Sequence, residues 1–469
     1  MKALLANMGF VLQISGLFII IPIIVSFIYN EPFATIALFI AVTAFLSLGF
    51  LLNALCERKE LSYKESCTLI VLVFILLSII GAIPYMYLNV SNGDIVTNFT
   101  DSVFEAASGF TTTGFTVVSN VSLLPKSIII YRALTQFVGG IGIVLVLLAF
   151  FYPEEKLFEF SRGMGFSTNY KVKKTFYMIL VIYFIYTFIM IALGFILGYH
   201  DGVNLLSFIF SAISTGGFAP VNDISTIVTS FPLNFILIVS MVLGATNFFV
   251  LAGLFKRRFK EFLLSETMVF IVIAVFSIII ITLFFNIPGF DSVFHVISAM
   301  SASGFSYISM QSLAGNLKIY LIILMLIGGA SISTAGGIKI YRFLLVLKSI
   351  KKAVHDAITH EDKQIRLFGK EYTDSEIIQA FILMLVWIGI VFVSAFIVSS
   401  YGYDPVDALF ETTSAIGTSG LSTGIVNASL ALELKWLFFF LMILGRVEIL
   451  AFFIMISRIK ELKKSFKKT

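Results

Sequence analysis

Long apolar runs separated by short polar segments dominate this chain. Each run is about twenty residues or longer, which is the length an α-helix needs to cross the hydrocarbon core of a bilayer. The pattern therefore predicts an all-α polytopic membrane protein. The ten predicted spans lie near residues 8–29, 33–55, 67–88, 128–151, 175–199, 233–255, 267–286, 318–347, 376–400 and 434–457.

Four of the segments between spans share one sequence pattern, in which a serine stands six residues before a glycine and a bulky apolar residue follows the glycine. The aligned copies cover residues 101–116, 204–219, 291–306 and 407–422, with the serines Ser108, Ser211, Ser298 and Ser414 and the glycines Gly114, Gly217, Gly304 and Gly420. An internal repeat on this scale defines the architecture. It predicts four membrane-pore-membrane repeats around one pore, preceded by an extra N-terminal helix pair.

Each copy predicts a short apolar helix followed by a polar, glycine-bearing loop. Asp or Asn at the start of each copy suits an N-cap, at Asp101, Asn204, Asp291 and Asp407. Irregular backbone between spans is tolerated only where it lines a cavity or is buried in protein. Four such loops suit a cation filter, because backbone carbonyls replace the water around an ion and glycine permits the positive φ that turns carbonyls toward one axis.

These copies resemble the Trk/Ktr/HKT superfamily of potassium uptake proteins, and the extra helix pair makes the chain most similar to the bacterial Trk-type pore subunits. The resemblance implies potassium uptake, with K+ bound by the backbone carbonyls of a selectivity filter. It assigns the filter to Thr112, Thr113, Gly114, Phe115, Thr215, Gly216, Gly217, Phe218, Ala302, Ser303, Gly304, Phe305, Thr418, Ser419, Gly420 and Leu421. A symporter that couples K+ to H+ or Na+, and a less selective Na+/K+ channel, remain open as alternatives.

The repeats divide the chain into five predicted regions. The first is the N-terminal two-helix region, and each of the other four holds one pore loop. The third repeat also holds an intramembrane loop and a charged cytoplasmic segment, and the fourth ends in a basic tail. The regions are residues 1–66, 67–152, 153–257, 258–374 and 375–469.

The eighth span is interrupted by residues 328–339, which read GGASISTAGGIK. Each glycine costs a helix about 1 kcal/mol relative to alanine, so we expect a broken loop that lines a cavity, with a continuous glycine-packed helix as the alternative. The resemblance places this segment directly below the filter as a gate. The predicted gate residues are Gly328, Gly329, Ala330, Ser331, Ser333, Thr334, Ala335, Gly336, Gly337, Lys339 and Arg446.

Arg446 and Glu448 are charged residues within the tenth span. A charge there costs about 2.5 to 3.5 kcal/mol on insertion scales, so each needs a partner. Two residues apart on a helix, they face different directions, which favours a bond from Arg446 to the 328–339 loop over a local pair. Glu105, His295 and Glu411 share one aligned position, where we expect hydrogen bonds behind the filter. Arg132, Gln136, Gly139, Gly140 and Gly142 match a family pattern in the helix that follows the first filter loop.

The charges orient the chain in the membrane. With the N-terminus in the cytoplasm, most of the 32 Lys and Arg fall on the inner side, and the outer segments 200–232 and 400–432 contain none. This asymmetry is the positive-inside rule. It predicts a multi-pass protein of the cell membrane with both termini cytoplasmic and the pore loops external, and it explains the net charge of +5 without nucleic acid. Cys56 and Cys67 flank an inner loop, where we expect reduced thiols.

The chain shows no signature of an enzyme. It has four histidines, no paired metal ligands within the spans, and neither a phosphate loop nor a dinucleotide-binding glycine motif. We therefore expect no nucleotide site here. The resemblance implies that nucleotide control comes from a cytoplasmic Rossmann-like (RCK-type) regulatory subunit, and that the pore subunit forms a homodimer. Membrane lipid is a further expected partner of the basic inner segments.

Overall fold

The protein is a helical, multi-pass membrane protein in which four similar repeats surround one centre. The computed structural model describes residues 2–56, 61–91, 93–142, 172–228, 231–255, 262–263, 265–359, 365–368 and 370–466.

The N-terminal region is a helix pair packed on the first repeat. The first member of the pair is one span made of two helices, Lys2–Phe18 and Ile20–Ile28, and the second member is a third helix, Pro32–Leu55. The first and third cross at Gly9 and Gly49, where an added methyl group would lie 2.6 to 2.7 Å from the opposite glycine's carbonyl oxygen. Small residues permit this approach. Glu31, between the second and third helices, accepts hydrogen bonds from the backbone N–H groups of Lys126 (2.6 Å) and Ser127 (3.0 Å) and so caps a helix of the first repeat.

Each repeat contains a first helix, a pore helix and a second helix. The first helices are Tyr63–Gly81 with Ile83–Tyr87, Val172–Ile196, Glu266–Phe284 and Asp374–Ser400. The pore helices are Ile95–Phe110, Gly202–Ile213, Gly289–Met300 and Pro405–Ile416. The second helices are Lys126–Ile141, Phe231–Ala245, Gly315–Ile327 and Leu432–Val447. Short turns precede three second helices, at Val121–Leu123, Ser225–Val228 and Met310–Ser312.

All four second helices end within two residues of a glycine that is the fourteenth residue counted from the helix start. The four are Gly139, Gly244, Gly328 and Gly445. The helices have 13 to 16 residues. At 1.5 Å per residue, 16 residues span about 24 Å, less than the hydrocarbon core of about 30 Å. The chain resumes as Phe248–Phe255 in repeat 2, Ile340–Thr359 in repeat 3 and Ile449–Phe466 in repeat 4.

The predicted continuity of two spans is therefore wrong. The span at 233–255 is interrupted at Thr246 and Asn247, and the span at 434–457 bends by 101° between Leu432–Val447 and Ile449–Glu461. The predicted break at 328–339 is confirmed, and residues 143–151 of the fourth span lie outside the described residues. Within the described ranges, six helices are long and apolar enough to cross a membrane, or seven if the bent pair counts as one span.

The pore helices begin earlier than the sequence pattern predicted. Asp94, Asp201 and Asp404 accept the capping hydrogen bonds in repeats 1, 2 and 4, and the third pore helix follows Pro288. The predicted N-caps are wrong, because those residues lie inside the helices: Asp101, Asn204, Asp291 and Asp407. The two aspartates in repeats 1 and 4 instead pair with lysines of a neighbouring repeat.

A small antiparallel hairpin is the one β-sheet among the described residues. Strand Ile365–Leu367 pairs with strand Lys370–Tyr372. Ile365 and Leu367 pack with Leu345, Val346 and Ala380. The hairpin thus joins the base of helix Ile340–Thr359 to the first helix of repeat 4.

Candidate functional site

The four loops after the pore helices share one backbone conformation. The glycines Gly114, Gly217, Gly304 and Gly420 all have positive φ, between 77° and 92°. So do the residues two positions earlier, Thr112, Thr215, Ala302 and Thr418, with φ between 48° and 56°. A left-handed conformation costs a non-glycine residue about 1 to 2 kcal/mol, and such strain persists where surrounding contacts hold it. The pattern predicted the glycines but not these second positions.

The aligned serines hold the loops through their backbone. In each repeat the N–H of the residue before the glycine donates to the serine carbonyl, at 2.8 to 3.0 Å. The donors are Thr113, Gly216, Ser303 and Ser419, and the acceptors are Ser108, Ser211, Ser298 and Ser414. The spacing of six residues between serine and glycine is therefore the size of this turn.

The loops meet as a closed ring, which we call the loop ring (residues 112–115, 215–218, 302–305 and 418–421). A methyl group placed on Gly114 would lie 2.1 Å from the carbonyl oxygen of Gly216. The same relation joins Gly217 to Ser303 and Gly304 to Ser419 at 2.1 Å, and Gly420 to Thr113 at 2.0 Å. The order runs from each repeat to the next and returns to the first.

Within the loop ring the four glycines are partly exposed, whereas the other twelve residues are buried. The glycine backbone is thus the part of each loop that borders open space. All sixteen residues assigned to a filter lie in this ring. None of the ring residues is acidic. The ring can therefore offer a bound ion neutral backbone oxygens and no carboxylate.

Polar side chains of the first repeat support the second loop. Gln136 donates from Nε2 to the carbonyl of Gly216 at 2.6 Å and accepts from the N–H of Phe218 at 3.1 Å. Arg132 donates to Glu105 at 2.6 Å and to the carbonyl of Ala219 at 3.1 Å. The Arg132 and Glu105 side chains are at most 2% exposed, so they form a buried, hydrogen-bonded ion pair.

The aligned carboxylates bond the segment after each loop, as expected. Glu105 accepts from Thr116 and from the N–H of Val117 at 3.2 Å. Glu411 accepts from the Ser422 hydroxyl at 2.6 Å and from the N–H of Ile425 at 3.1 Å.

His295, at the same aligned position, differs from these carboxylates. Its Nδ1 lies 2.8 Å from the carbonyl of Asp291 in its own helix.

Two lysine–aspartate pairs join neighbouring repeats at equivalent positions. Lys318 of repeat 3 binds Asp407 of repeat 4, and Lys435 of repeat 4 binds Asp101 of repeat 1, both at 2.6 Å. Both lysines are the fourth residue of a second helix. The sequence analysis missed these pairs, although a lone lysine at matching places in two apolar helices is a usable signal for them.

Residues 328–339, which we call the inserted loop, separate helix Gly315–Ile327 from helix Ile340–Thr359. A methyl group on Gly336 would lie 1.9 Å from the carbonyl oxygen of Gly417 and 2.4 Å from the hydroxyl oxygen of Thr418. The inserted loop therefore touches the fourth ring loop directly.

The inserted loop also exchanges backbone hydrogen bonds with the broken second helix of repeat 2. Ala330 N donates to Ala245 O, Thr334 N donates to Gly244 O, and Phe248 N donates to Ile332 O, each at 3.1 Å. The break at Thr246 and Asn247 frees these helix-end groups, and the loop satisfies them.

Charged groups from two helices hold the inserted loop. Arg446 donates to Thr334 O at 3.0 Å and to Gly139 O at 2.5 Å, which confirms the predicted bond to the loop. Glu448 pairs with Arg342 at 2.7 Å instead of with Arg446. Glu266, which the sequence analysis missed, accepts from the N–H of Ser331 at 2.7 Å.

A cavity of about 230 Å³ borders both the inserted loop and Thr418 of the loop ring. Its wall includes Ser331, Ser333, Lys339, Arg342, Arg446 and Glu448. A solute that enters this cavity from the ring would contact the inserted loop and the Arg446 side chain.

Comparisons with known proteins agree along nearly the whole chain. A family model described as TrkH, cation transport protein, matches residues 34–286 and 265–468. An uncharacterized cation transporter of Methanocaldococcus jannaschii is 32% identical over 469 residues, covering 96% of this chain and 94% of that protein. The Trk system potassium uptake protein TrkH of Halomonas elongata is 25% identical, covering 96% and 97%. The fold matches the crystal structure of the potassium transporter TrkH from Vibrio parahaemolyticus with a TM-score of 0.81, covering 97% and 98% at 21% identity.

Lys435→Met should destabilise the protein by about 3 kcal/mol or more, because it leaves the buried Asp101 carboxylate unpaired. Thermal unfolding in detergent measures the loss. Asp101→Asn in the same chain should recover much of it. The control is Lys64→Met, whose partner Glu461 is exposed, so the change should stay below about 1 kcal/mol. Equal losses for Lys435→Met and Lys64→Met would contradict a structural role for the buried pair.

Proposed function

This chain belongs to the TrkH family of cation transport proteins, and on that premise we propose that it takes up potassium ions across a cell membrane through the loop ring. The observation that carries the proposal is the closed contact of four glycines with four carbonyl oxygens. Of the sixteen ring residues, only the four glycines are partly exposed. This exposure supports a narrow passage that is bordered by glycine backbone. The Halomonas relative, named a potassium uptake protein, supports potassium as the ion.

The chemistry of the ring favours K+ over smaller or divalent cations. Rings of carboxylates are the usual devices of channels that select other cations, and the loop ring has none. Neutral carbonyl oxygens replace the weakly held hydration shell of K+. In this proposal the ring is the selectivity filter, and its sixteen residues supply backbone ligands.

The inserted loop is the gate in this proposal. It packs against the fourth filter loop. Hydrogen bonds with Arg446, with Glu266 and with the broken second helix of repeat 2 hold it there. In this proposal the inserted loop narrows the path from the filter through the cavity of about 230 Å³, whose wall contains both Thr418 and residues of the inserted loop. Opening requires it to exchange these bonds for others.

Helix Ile340–Thr359 directly follows the inserted loop, so a force applied to this helix acts on the gate. We propose that a cytoplasmic, nucleotide-binding regulatory subunit applies this force and that the pore subunit works as a homodimer. The distribution of Lys and Arg supports cytoplasmic termini and external pore loops.

Flux measurements on the purified chain in liposomes test the function. Potassium and sodium fluxes are measured under an imposed voltage, with no regulatory protein present. We expect voltage-driven K+ flux that exceeds Na+ flux. Absence of K+ flux in the folded wild type and in a folded variant that lacks gate residues 330–335, both with and without a proton or sodium gradient, would contradict potassium transport.

Gly114→Ser should weaken the preference for potassium. A serine Cβ would lie 2.1 Å from the carbonyl oxygen of Gly216, and φ of +92° is strained for serine, so the carbonyls move out of position. The ratio of K+ to Na+ flux measures the effect. Gly389→Ser, at a glycine with no neighbouring atom within 4 Å, is the control and should keep the wild-type ratio. An unchanged ratio in folded Gly114→Ser protein would disprove the filter assignment.

Substitution of Arg446 should raise flux in the order wild type, Gln, Ala. A cation that passes within about 4 Å of the guanidinium meets a repulsion of about 4 kcal/mol at an effective dielectric constant of 20, and the same group holds the inserted loop. Glutamine removes the charge and keeps some hydrogen bonding, whereas alanine removes both. Initial K+ flux into liposomes measures the order. Loss of flux in both folded variants would instead show that Arg446 supports the pore structurally.

A further inference from the structure

The Thr334 side chain of the inserted loop reaches the end of the second pore helix. Its hydroxyl lies 3.0 Å from the carbonyl oxygen of Ile213 and 2.9 Å from that of Gly244. A hydroxyl has one proton, so it donates to one of these acceptors at a time. Thr334 is 1% exposed, so water does not compete with these bonds.

Ile213 is the last residue of its pore helix, and the second filter loop starts two residues later. In repeats 1 and 4 the equivalent carbonyls, of Phe110 and Ile416, lie 2.0 Å from the position of a methyl on the adjacent glycine. In repeat 2 the corresponding distance is 2.5 Å, and the Thr334 hydroxyl lies 3.1 Å from the same point. This junction is wider than the other two, and Thr334 lies against it.

The inserted loop thus contacts one filter loop and the pore helix that leads into another. Thr334 holds the end of the pore helix that leads into the second loop, and Gly336 packs against Gly417 and Thr418 of the fourth. A loop that only blocked the path would need contact with the passage and not a hydrogen bond to a pore-helix carbonyl.

We propose that Thr334 couples the gate to the potassium affinity of the filter. With the inserted loop in place, its hydroxyl fixes the Ile213 carbonyl and keeps the second filter loop in the conformation that binds K+. When the loop moves away, this support is lost and K+ binds more weakly, as an ion about to leave requires. This inference rests on the proposed function, since it concerns the filter and the gate defined there.

Coupling between two sites is reciprocal. If the closed gate strengthens K+ binding, K+ in the filter must strengthen closure by the same factor. Filled filters therefore hold the inserted loop in place, and potassium restrains its own uptake.

Equilibrium K+ binding to the purified chain in detergent tests the coupling without any flux. Thr334→Val keeps the shape of the side chain and removes the hydroxyl. We expect its K+ affinity to fall about fivefold or more, at the low end of measured couplings between sites. The readout is the K+ dependence of hydrogen exchange at residues 211–217, with residues 298–304 of the third repeat as an internal reference.

Two variants show whether the hydroxyl itself is responsible. Thr334→Ser keeps the donor and should bind K+ like the wild type. Thr187→Val is the matched control, because it removes a buried threonine hydroxyl that bonds Tyr183 O in the first helix of repeat 2, and it should leave the affinity unchanged. Equal affinity in Thr334→Val and the wild type, or an equal loss in Thr187→Val, would overturn the proposal.

The wild-type protein supplies a test that needs no substitution. K+ at saturation should slow hydrogen exchange at residues 330–335 relative to choline, because a filled filter holds the loop. Unchanged exchange there, in a protein that carries K+ flux in liposomes, would overturn the coupling and leave the proposed function standing. Absence of both K+ binding and K+ flux would overturn both.

Discussion

Close packing of the four ring glycines against the carbonyl oxygens of the next loop around the ring is the main constraint on this structure. At 2.0 to 2.1 Å from a would-be methyl group, there is no room for any Cβ. Because each loop is placed by its neighbours, the ring closes only if all four have the same conformation. Three kinds of contact keep the loops in this arrangement. They are the hydrogen bonds to the serine carbonyls, the buried Arg132–Glu105 pair and the two lysine–aspartate pairs between repeats.

The sequence predicted those features of the structure that depend on local residue spacing. The spacing of six residues between Ser108 and Gly114, and in the three other copies, is the size of a hydrogen-bonded turn, so the alignment found the ring. The N-caps were wrong because an aspartate near a helix start is also a good partner for a distant lysine. Asp101 pairs with Lys435, which lies 334 residues away, and no local signal separates the two uses.

The breaks in the second helices show where sequence reasoning ends. In repeat 3 the glycines of the inserted loop predict the break. In repeat 2 the break falls at Thr246 and Asn247, in a stretch without glycine or proline at the break itself, and the inserted loop satisfies the freed backbone groups. A helix can stop there because another segment supplies its hydrogen bonds. That segment is distant in sequence, so the local sequence does not predict the break.

All four loops of the ring belong to one polypeptide. In a pore built from four identical chains, every substitution appears at four places at once, so a change that one place tolerates fails if any other place does not. Here a single substitution alters one quadrant and leaves three intact. The quadrants have already diverged, with Ala302 where the others have threonine and Leu421 where the others have phenylalanine. In the proposed pore, the ion ligands can therefore change one quadrant at a time during evolution.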